Sequence, residues 1–280
     1  MRGWGRYGNA LMKTDIRVAA AICRSKTGRT KENLETMAAW TRKAAKENVD
    51  MVCFPELCIT GYHVREEMAD AALPMDGPEV NAVIRMAGDN NIAVIAGLAE
   101  KGADGRIYAT EFACDATGLL GSYRKVHLGP PEKKIFSPAD AIGPLLEVNG
   151  FKFGIQLCYD AHFPELSTHM TARGADAVFI PHASPGKSAA EKKDSWMRHL
   201  PARAYDNSIF VIAVNPVGDN GHGLYFPGTA LILSPEGKIM ACHSGETEAM
   251  VVQTLSREML EDIRNHRMRY FFPNRRPELY

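Results

Sequence analysis

The stretch FKFGIQLCYDAHFPE, residues 151–165, decides the fold. Phe151, Phe153, Ile155 and Leu157 alternate with Lys152, Gly154 and Gln156, the period of two that marks a strand. Pro164 and Glu165 then stand where a helix begins, because proline's missing N–H would be unpaired in a first turn anyway. Leu166 and Met170 share a face of that helix, Gly174 suits its C-cap, and residues 177–180 read as the next strand. Cys158 therefore falls between a strand and a helix. Unpaired backbone N–H groups and the positive end of a helix dipole would there favour thiolate, the nucleophilic form. A cysteine taken alone is more often an inert core residue, so partners elsewhere must decide.

Outward from this unit the same alternation continues. Upstream, residues 16–22 form an apolar strand, and residues 30–48 carry Leu34, Met37, Ala38, Thr41, Ala44 and Ala45 at helical spacing. Residues 49–54 form a second strand that runs directly into Pro55-Glu56. A helix over 78–90, a strand over 92–100, and strands over 107–115 and 119–123 follow, the last leading into Arg124-Lys125. Residues 128–145 are proline-rich and aperiodic, a loop of the length that usually serves function. Downstream come a helix over 189–205 broken near Pro201, a strand over 209–214, a hairpin over 229–242, a strand over 250–254 and a helix over 256–266 capped by Ser256. Strands alternating with helices predict one α/β domain over residues 16–280. Residues 1–15 read as a loose extension, with Met12 an alternative start to Met1, and the tail around Tyr270-Phe271-Phe272 is too aromatic for a solvated end, so it is expected to pack on something, a second copy of the chain included.

Composition excludes several classes. Lys+Arg and Asp+Glu number 33 each, so zero formal charge gives no reason to expect nucleic acid or an anionic membrane as partner. No apolar run reaches the roughly 18 residues of a membrane span. The six cysteines form no CxxC pair and no zinc spacing with histidine, so no metal site is expected. Free thiols without a secretory signal point to the cytoplasm.

Glu56 ends an apolar strand as Cys158 does, and Lys125 ends another; α/β proteins collect catalytic groups at strand ends. FPELCITGY around Glu56, YRKVHL around Lys125 and CYDAHFPE around Cys158 occur in that order, with ARAYDN at 202–207 and a P-x-G turn at 235–237. Together they resemble the carbon–nitrogen hydrolases of the nitrilase superfamily. The resemblance implies a four-layer α-β-β-α sandwich, a homodimer, and a Glu–Lys–Cys triad on Glu56, Lys125 and Cys158. The family's second glutamate falls on Glu132. Ala139, Asp206 and Ala230 depart from the family's usual glycine, glutamate and serine, which bears on loop and pocket shape rather than on the triad.

The resemblance further implies a thioester mechanism. Cys158 would attack the carbonyl, Lys125 and the Tyr159 N–H would hold the oxyanion, Glu56 would move protons and Glu132 would help position amide nitrogen and water. Tyr62, Tyr159, His162 and His182 are candidates to line the substrate pocket. Cys158-Tyr159-Asp160 is closer to the amidase branches than to the nitrilases' Cys-Trp-Glu. Ala161 and His162 stand where N-carbamoyl-D-amino-acid hydrolases carry an arginine pair that clamps a carboxylate. A small carboxamide, ω-amides of small acids included, hydrolysed with water to release ammonia, is the leading expectation. N-carbamoyl amines come next, then nitriles, and an inactive scaffold last.

Overall fold

The computed structural model describes residues 14–279. The loose extension and the alternative start at Met12 thus lie outside the described residues, except Thr14 and Asp15, whose carboxylate accepts from the Arg257 N–H (2.8 Å). The first half of the chain runs β1 (Ile16–Ile22), α1 (Thr30–Lys46), β2 (Met51–Cys53), α2 (Glu67–Asp70), α3 (Pro78–Asn90), β3 (Ala93–Lys101), β4 (Ile107–Asp115) and β5 (Gly118–Arg124). The second runs β6 (Leu146–Val148), β7 (Phe151–Ile155), α4 (Pro164–Ala172), β8 (Ala177–Pro181), α5 (Ala189–Met197), α6 (Leu200–Asn207) and β9 (Phe210–Asn215). It continues through a two-residue ribbon, β10 (Gly218–Asp219) and β11 (Tyr225–Phe226), to β12 (Gly228–Leu233), β13 (Ile239–Gly245), β14 (Ala249–Leu255) and α7 (Arg257–Asn265). Among the described residues no helix is long and apolar enough to cross a membrane.

Two six-stranded sheets result, ordered β14-β1-β2-β3-β4-β5 and β13-β12-β9-β8-β7-β6. Each has three parallel strands at its centre, β1-β2-β3 and β7-β8-β9, flanked by antiparallel ones. The central strands are buried on both faces, which is why they read as near-continuous apolar runs. In β1, Val18, Ala20 and Ile22 join the layer against the second sheet, where β1 packs on β9 and β12. Ala19 and Ala21 face the other way, into a layer with Met37 and Ala44 of α1 and Val80 and Val83 of α3. Helix, sheet, sheet and helix are thereby stacked as the expected four layers.

The predicted helix over 189–205 is two helices, broken at Arg198-His199, two residues ahead of Pro201. The tail packs: Phe272 is buried and the Phe271 ring lies 5.3 Å from that of Tyr205. Parallel β2, β7 and β8 all end at one edge of the sandwich, and the chain leaving them carries Glu56, Cys158 and His182. Lys125 follows β5 directly. The proline-rich loop is tied back by Ala139 N–H to Lys125 O (2.9 Å) and Ser137 N–H to Ile107 O (2.7 Å), so its 3-10 turn Glu132–Lys134 is held over this edge.

Glu111, in β4, is an unexpected charge in the core. It is fully buried, and neither carboxyl oxygen has a hydrogen-bond partner. Gly97 on β3 makes room for it, since a Cβ there would collide with Oε2. Burial, reinforced by Glu56, holds its carboxyl well above the ordinary range. A carboxyl whose folded pKa lies above its unfolded one contributes stability that is lost as pH rises, so this group makes the fold less stable towards higher pH. Glu111→Gln should therefore raise Tm relative to the parent more at pH 8 than at pH 5. An equal difference at both pH values in calorimetry would refute the assignment.

Candidate active site

The site is organised by Lys125. Its ammonium is fully buried and donates to Glu56 Oε1 and to Glu132 Oε1, both at 2.7 Å. Glu56 is fixed from its other side by the Ala183 N–H on Oε2 (2.9 Å), and its own N–H donates to His182 O (3.2 Å). Glu132 Oε2 accepts from the Gly129 N–H (2.6 Å), and its Oε1 also accepts from the Tyr62 hydroxyl (3.1 Å). Tyr62 in turn sets its ring edge-on to Phe226 (6.2 Å). One ammonium thus binds two carboxylates, and each carboxylate is anchored by a backbone amide.

The Cys158 thiol responds electrostatically to Glu56, Lys125, Glu132 and Lys192. Its backbone has φ +45°, left-handed and strained for a residue with a Cβ, by about 1–2 kcal/mol. The helix starts where the sequence places it, at Pro164, and a 3-10 turn over Cys158–His162 lies between the cysteine and that first turn. Asp160 holds that turn. Its Oδ2 accepts from Leu157 N–H (3.0 Å) and the Tyr123 hydroxyl (2.7 Å), and its Oδ1 from His127 N–H (2.8 Å). Arg203 on α6 clamps the far end through Ala161 O (2.8 Å).

The expectation of a resting thiolate is overturned. Burial raises the Cys158 pKa, Glu56 adds to it, and together they outweigh Lys125, pushing the thiol up to about 12. The reason is charge count. A lysine alone near a thiol would stabilise thiolate, but this one is neutralised by two carboxylates, so the cluster is net negative when both are ionised. The short 3-10 turn also supplies no aligned helix dipole. Glu56 is raised to about 7, chiefly by burial and against the pull of Lys125, with Glu132 adding to the rise. Burial alone would lower the Lys125 pKa, yet Glu56, Cys158 and Glu132 outweigh it and hold the ammonium charged.

The other predicted residues divide. Tyr62 joins the cluster. Tyr159 and His162 lie together (rings 5.4 Å apart) on the outer side of the turn, where His162 is exposed and meets the ring of His199 (4.5 Å). His182 sits beneath Glu56, with Nδ1 donating to Ile180 O (2.7 Å) and its ring on Trp196 (4.4 Å); burial keeps it neutral. Sequence reading missed Asp160 as the anchor of the turn that carries Cys158. Its place two residues after the cysteine was the available signal, because a tight turn leaves N–H groups that need an acceptor.

A buried Glu–Lys–Glu cluster and a cysteine on a strained turn thus lie at one edge of a four-layer sandwich. The sequence pattern of the carbon–nitrogen hydrolase family matches residues 17–265, and the chain belongs to that family, within the nitrilase superfamily. It is an enzyme that hydrolyses C–N bonds. It is 29% identical to an (R)-stereoselective amidase from Pseudomonas sp over 78% of this chain and 77% of that one. To an N-carbamoylputrescine amidase from Solanum lycopersicum it is 27% identical, over 96% and 95%. A variant of the amidase from Nesterenkonia sp. AN1, with the acetamide moiety of fluoroacetamide on its active-site cysteine, superposes with a TM-score of 0.82 at 25% identity, covering 98% of both chains.

Asp160→Ala should leave three donors without their acceptor and lower stability by roughly 2–4 kcal/mol. Denaturant unfolding would measure this, and a change below about 0.5 kcal/mol would show that Asp160 does not hold the turn.

Proposed function

We propose that the protein hydrolyses a small carboxamide to the acid and ammonia through a thioester on Cys158. The observation that carries this reading is the Lys125 ammonium shared between two buried carboxylates, one of them titrating near 7, beside a cysteine. Ionised Glu56 takes the thiol proton as substrate arrives. That transfer moves negative charge from Glu56 to Sγ without changing the charge of the cluster, so no new charge is buried, and the thiolate forms beside Lys125. Sγ attacks the carbonyl carbon, and Lys125 with the Tyr159 N–H stabilises the oxyanion. Protonated Glu56 gives its proton to the departing nitrogen, and ammonia leaves a thioester. Glu56 then deprotonates water, which attacks the thioester, and Sγ leaves with the proton returned. Glu132 and Tyr62 orient Lys125 and the substrate amide. The amidase relatives support this bond class.

The pH profile follows from Glu56. Only its ionised form accepts the thiol proton, so kcat/KM should rise with pH and level off above an apparent pKa near 7. A profile flat from pH 5 to 8 would remove Glu56 as the base.

The variants should fail differently. Glu56→Gln lacks the base for the second step, so an ester substrate should leave a thioester visible by intact mass. Lys125→Gln should slow acylation without that accumulation, and the Cys158 pKa should rise further as its cation is lost. Accumulation in Lys125→Gln alone would exchange the two roles. Cys158→Ala should abolish ammonia release.

We also propose a cytoplasmic homodimer. Tyr205 and Phe271, with rings 5.3 Å apart, are both partly exposed beside the packed tail, an apolar surface of the kind that marks an interface. Light scattering should give about twice the 30.8 kDa chain mass, and a monomer at micromolar concentration would reject this.

A further inference from the structure

Tyr62 lies outside every helix and strand, yet its hydroxyl meets Glu132 Oε1 in the buried cluster (3.1 Å). Burial, with Glu132 and Glu56 adding to it, holds the Tyr62 pKa far above its ordinary value, so the hydroxyl serves that carboxylate as a donor. What fixes Tyr62 comes from the ribbon β10–β11. Its carbonyl accepts from Asn220 Nδ2 (2.9 Å) and from Thr27 Oγ1 (3.1 Å). Asn220 is joined to Thr27 twice more, through Nδ2 to Thr27 Oγ1 (3.2 Å) and through its carbonyl to the Thr27 N–H (3.0 Å). Gly61 permits this close approach, since a Cβ there would lie 2.5 Å from the Thr27 backbone nitrogen. At the other end of the residue, the Tyr62 ring stands edge-on to Phe226, with centroids 6.2 Å apart. Phe226 is on β11 and pairs with Gly218, two residues before Asn220. One ribbon therefore grips Tyr62 at its main chain and at its ring.

The hydrogen bonds of Asn220 divide between two tasks. Its Oδ1 accepts from the His222 N–H (2.9 Å) and the Leu224 N–H (3.0 Å), and its own N–H donates to Leu224 O (3.0 Å), which closes the ribbon. Two backbone donors on one side fix which way the amide points, so Nδ2 faces Tyr62 and Thr27. Closing such a turn needs only the acceptor side, and aspartate does it equally well. The donor side, buried with the rest of the residue, acts on Tyr62. A tyrosine hydroxyl swings with its backbone and with the ring torsions; the carbonyl contact settles the first and Phe226 the second. We infer that Asn220 and Phe226 are positioning residues for the active site, which aim the Tyr62 hydroxyl at Glu132 and through it steady Lys125. This rests on the amidase reading above, in which Glu132 and Tyr62 orient Lys125 and the substrate amide. Both residues are uncharged, so replacing either by an apolar side chain changes no charge near the cluster.

A double-mutant cycle on ammonia release from a panel of small amides, propionamide among them, tests this. Tyr62→Phe removes a hydrogen bond to a charged group and should lower kcat roughly tenfold or more, with KM within about threefold of the parent. Asn220→Ala and Phe226→Leu should each lower kcat roughly 3- to 10-fold in the parent, but less than about twofold in Tyr62→Phe, where the hydroxyl they aim is already gone. Asn220→Asp keeps the acceptor that closes the ribbon and lacks the amide donor, so it should fall as Asn220→Ala does. Asp219→Ala removes the acceptor of the Gly221 N–H (2.6 Å) at the exposed tip of the same ribbon, away from Tyr62, and should leave kcat unchanged. Phe226→Leu leaves every Asn220 bond in place and carries the cycle by itself where Asn220→Ala unfolds. Losses of equal size with and without the Tyr62 hydroxyl, parental kcat in Asn220→Asp, or an equal loss in Asp219→Ala would mean that the ribbon has a structural role only, and overturns this inference alone. No ammonia from any amide in the parent overturns the amidase reading and this inference with it.

Discussion

The structure depends on one ammonium between two carboxylates. Moving three charged groups out of water costs several kcal/mol per ion after relaxation, and this is offset only by near-ideal pairing. Lys125 meets that condition with two 2.7 Å contacts, and the backbone amides of Ala183 and Gly129 complete the carboxylates. Those groups come from the ends of β2 and β5, the loop after β8 and the 3-10 turn at Glu132. Both sheets and the proline-rich loop must therefore be in place before the cluster exists. A well-packed apolar substitute would serve stability as well or better, so the cluster is explained by chemistry rather than by folding.

The same cluster acts on the Cys158 thiol. Burial and Glu56 together outweigh Lys125 and push that thiol up to about 12, so it keeps its proton beside a cluster that carries two carboxylates to one ammonium. Asp160 contributes differently, by collecting Leu157, Tyr123 and His127 around the turn and so holding Cys158 at a backbone angle it would otherwise avoid. The charges tune the thiol, and the buried aspartate aims it.

Much of this was legible in the chain. The period of two in residues 151–157, the apolar runs buried on both faces, Ser256 as a cap and the order of the three motifs depend on local chemistry, and local chemistry is written in neighbouring residues. Glu56, Lys125, Glu132 and Cys158 could be named as candidates because each follows a recognisable local pattern. The ionisation of Cys158 could not be read this way. It depends on how many carboxylates share Lys125, a count over residues 56, 125 and 132 that only folding brings together. Sequence determined which groups are available and on which element; tertiary structure decided their charge state and what they face, because both are sums over neighbours distant in the chain.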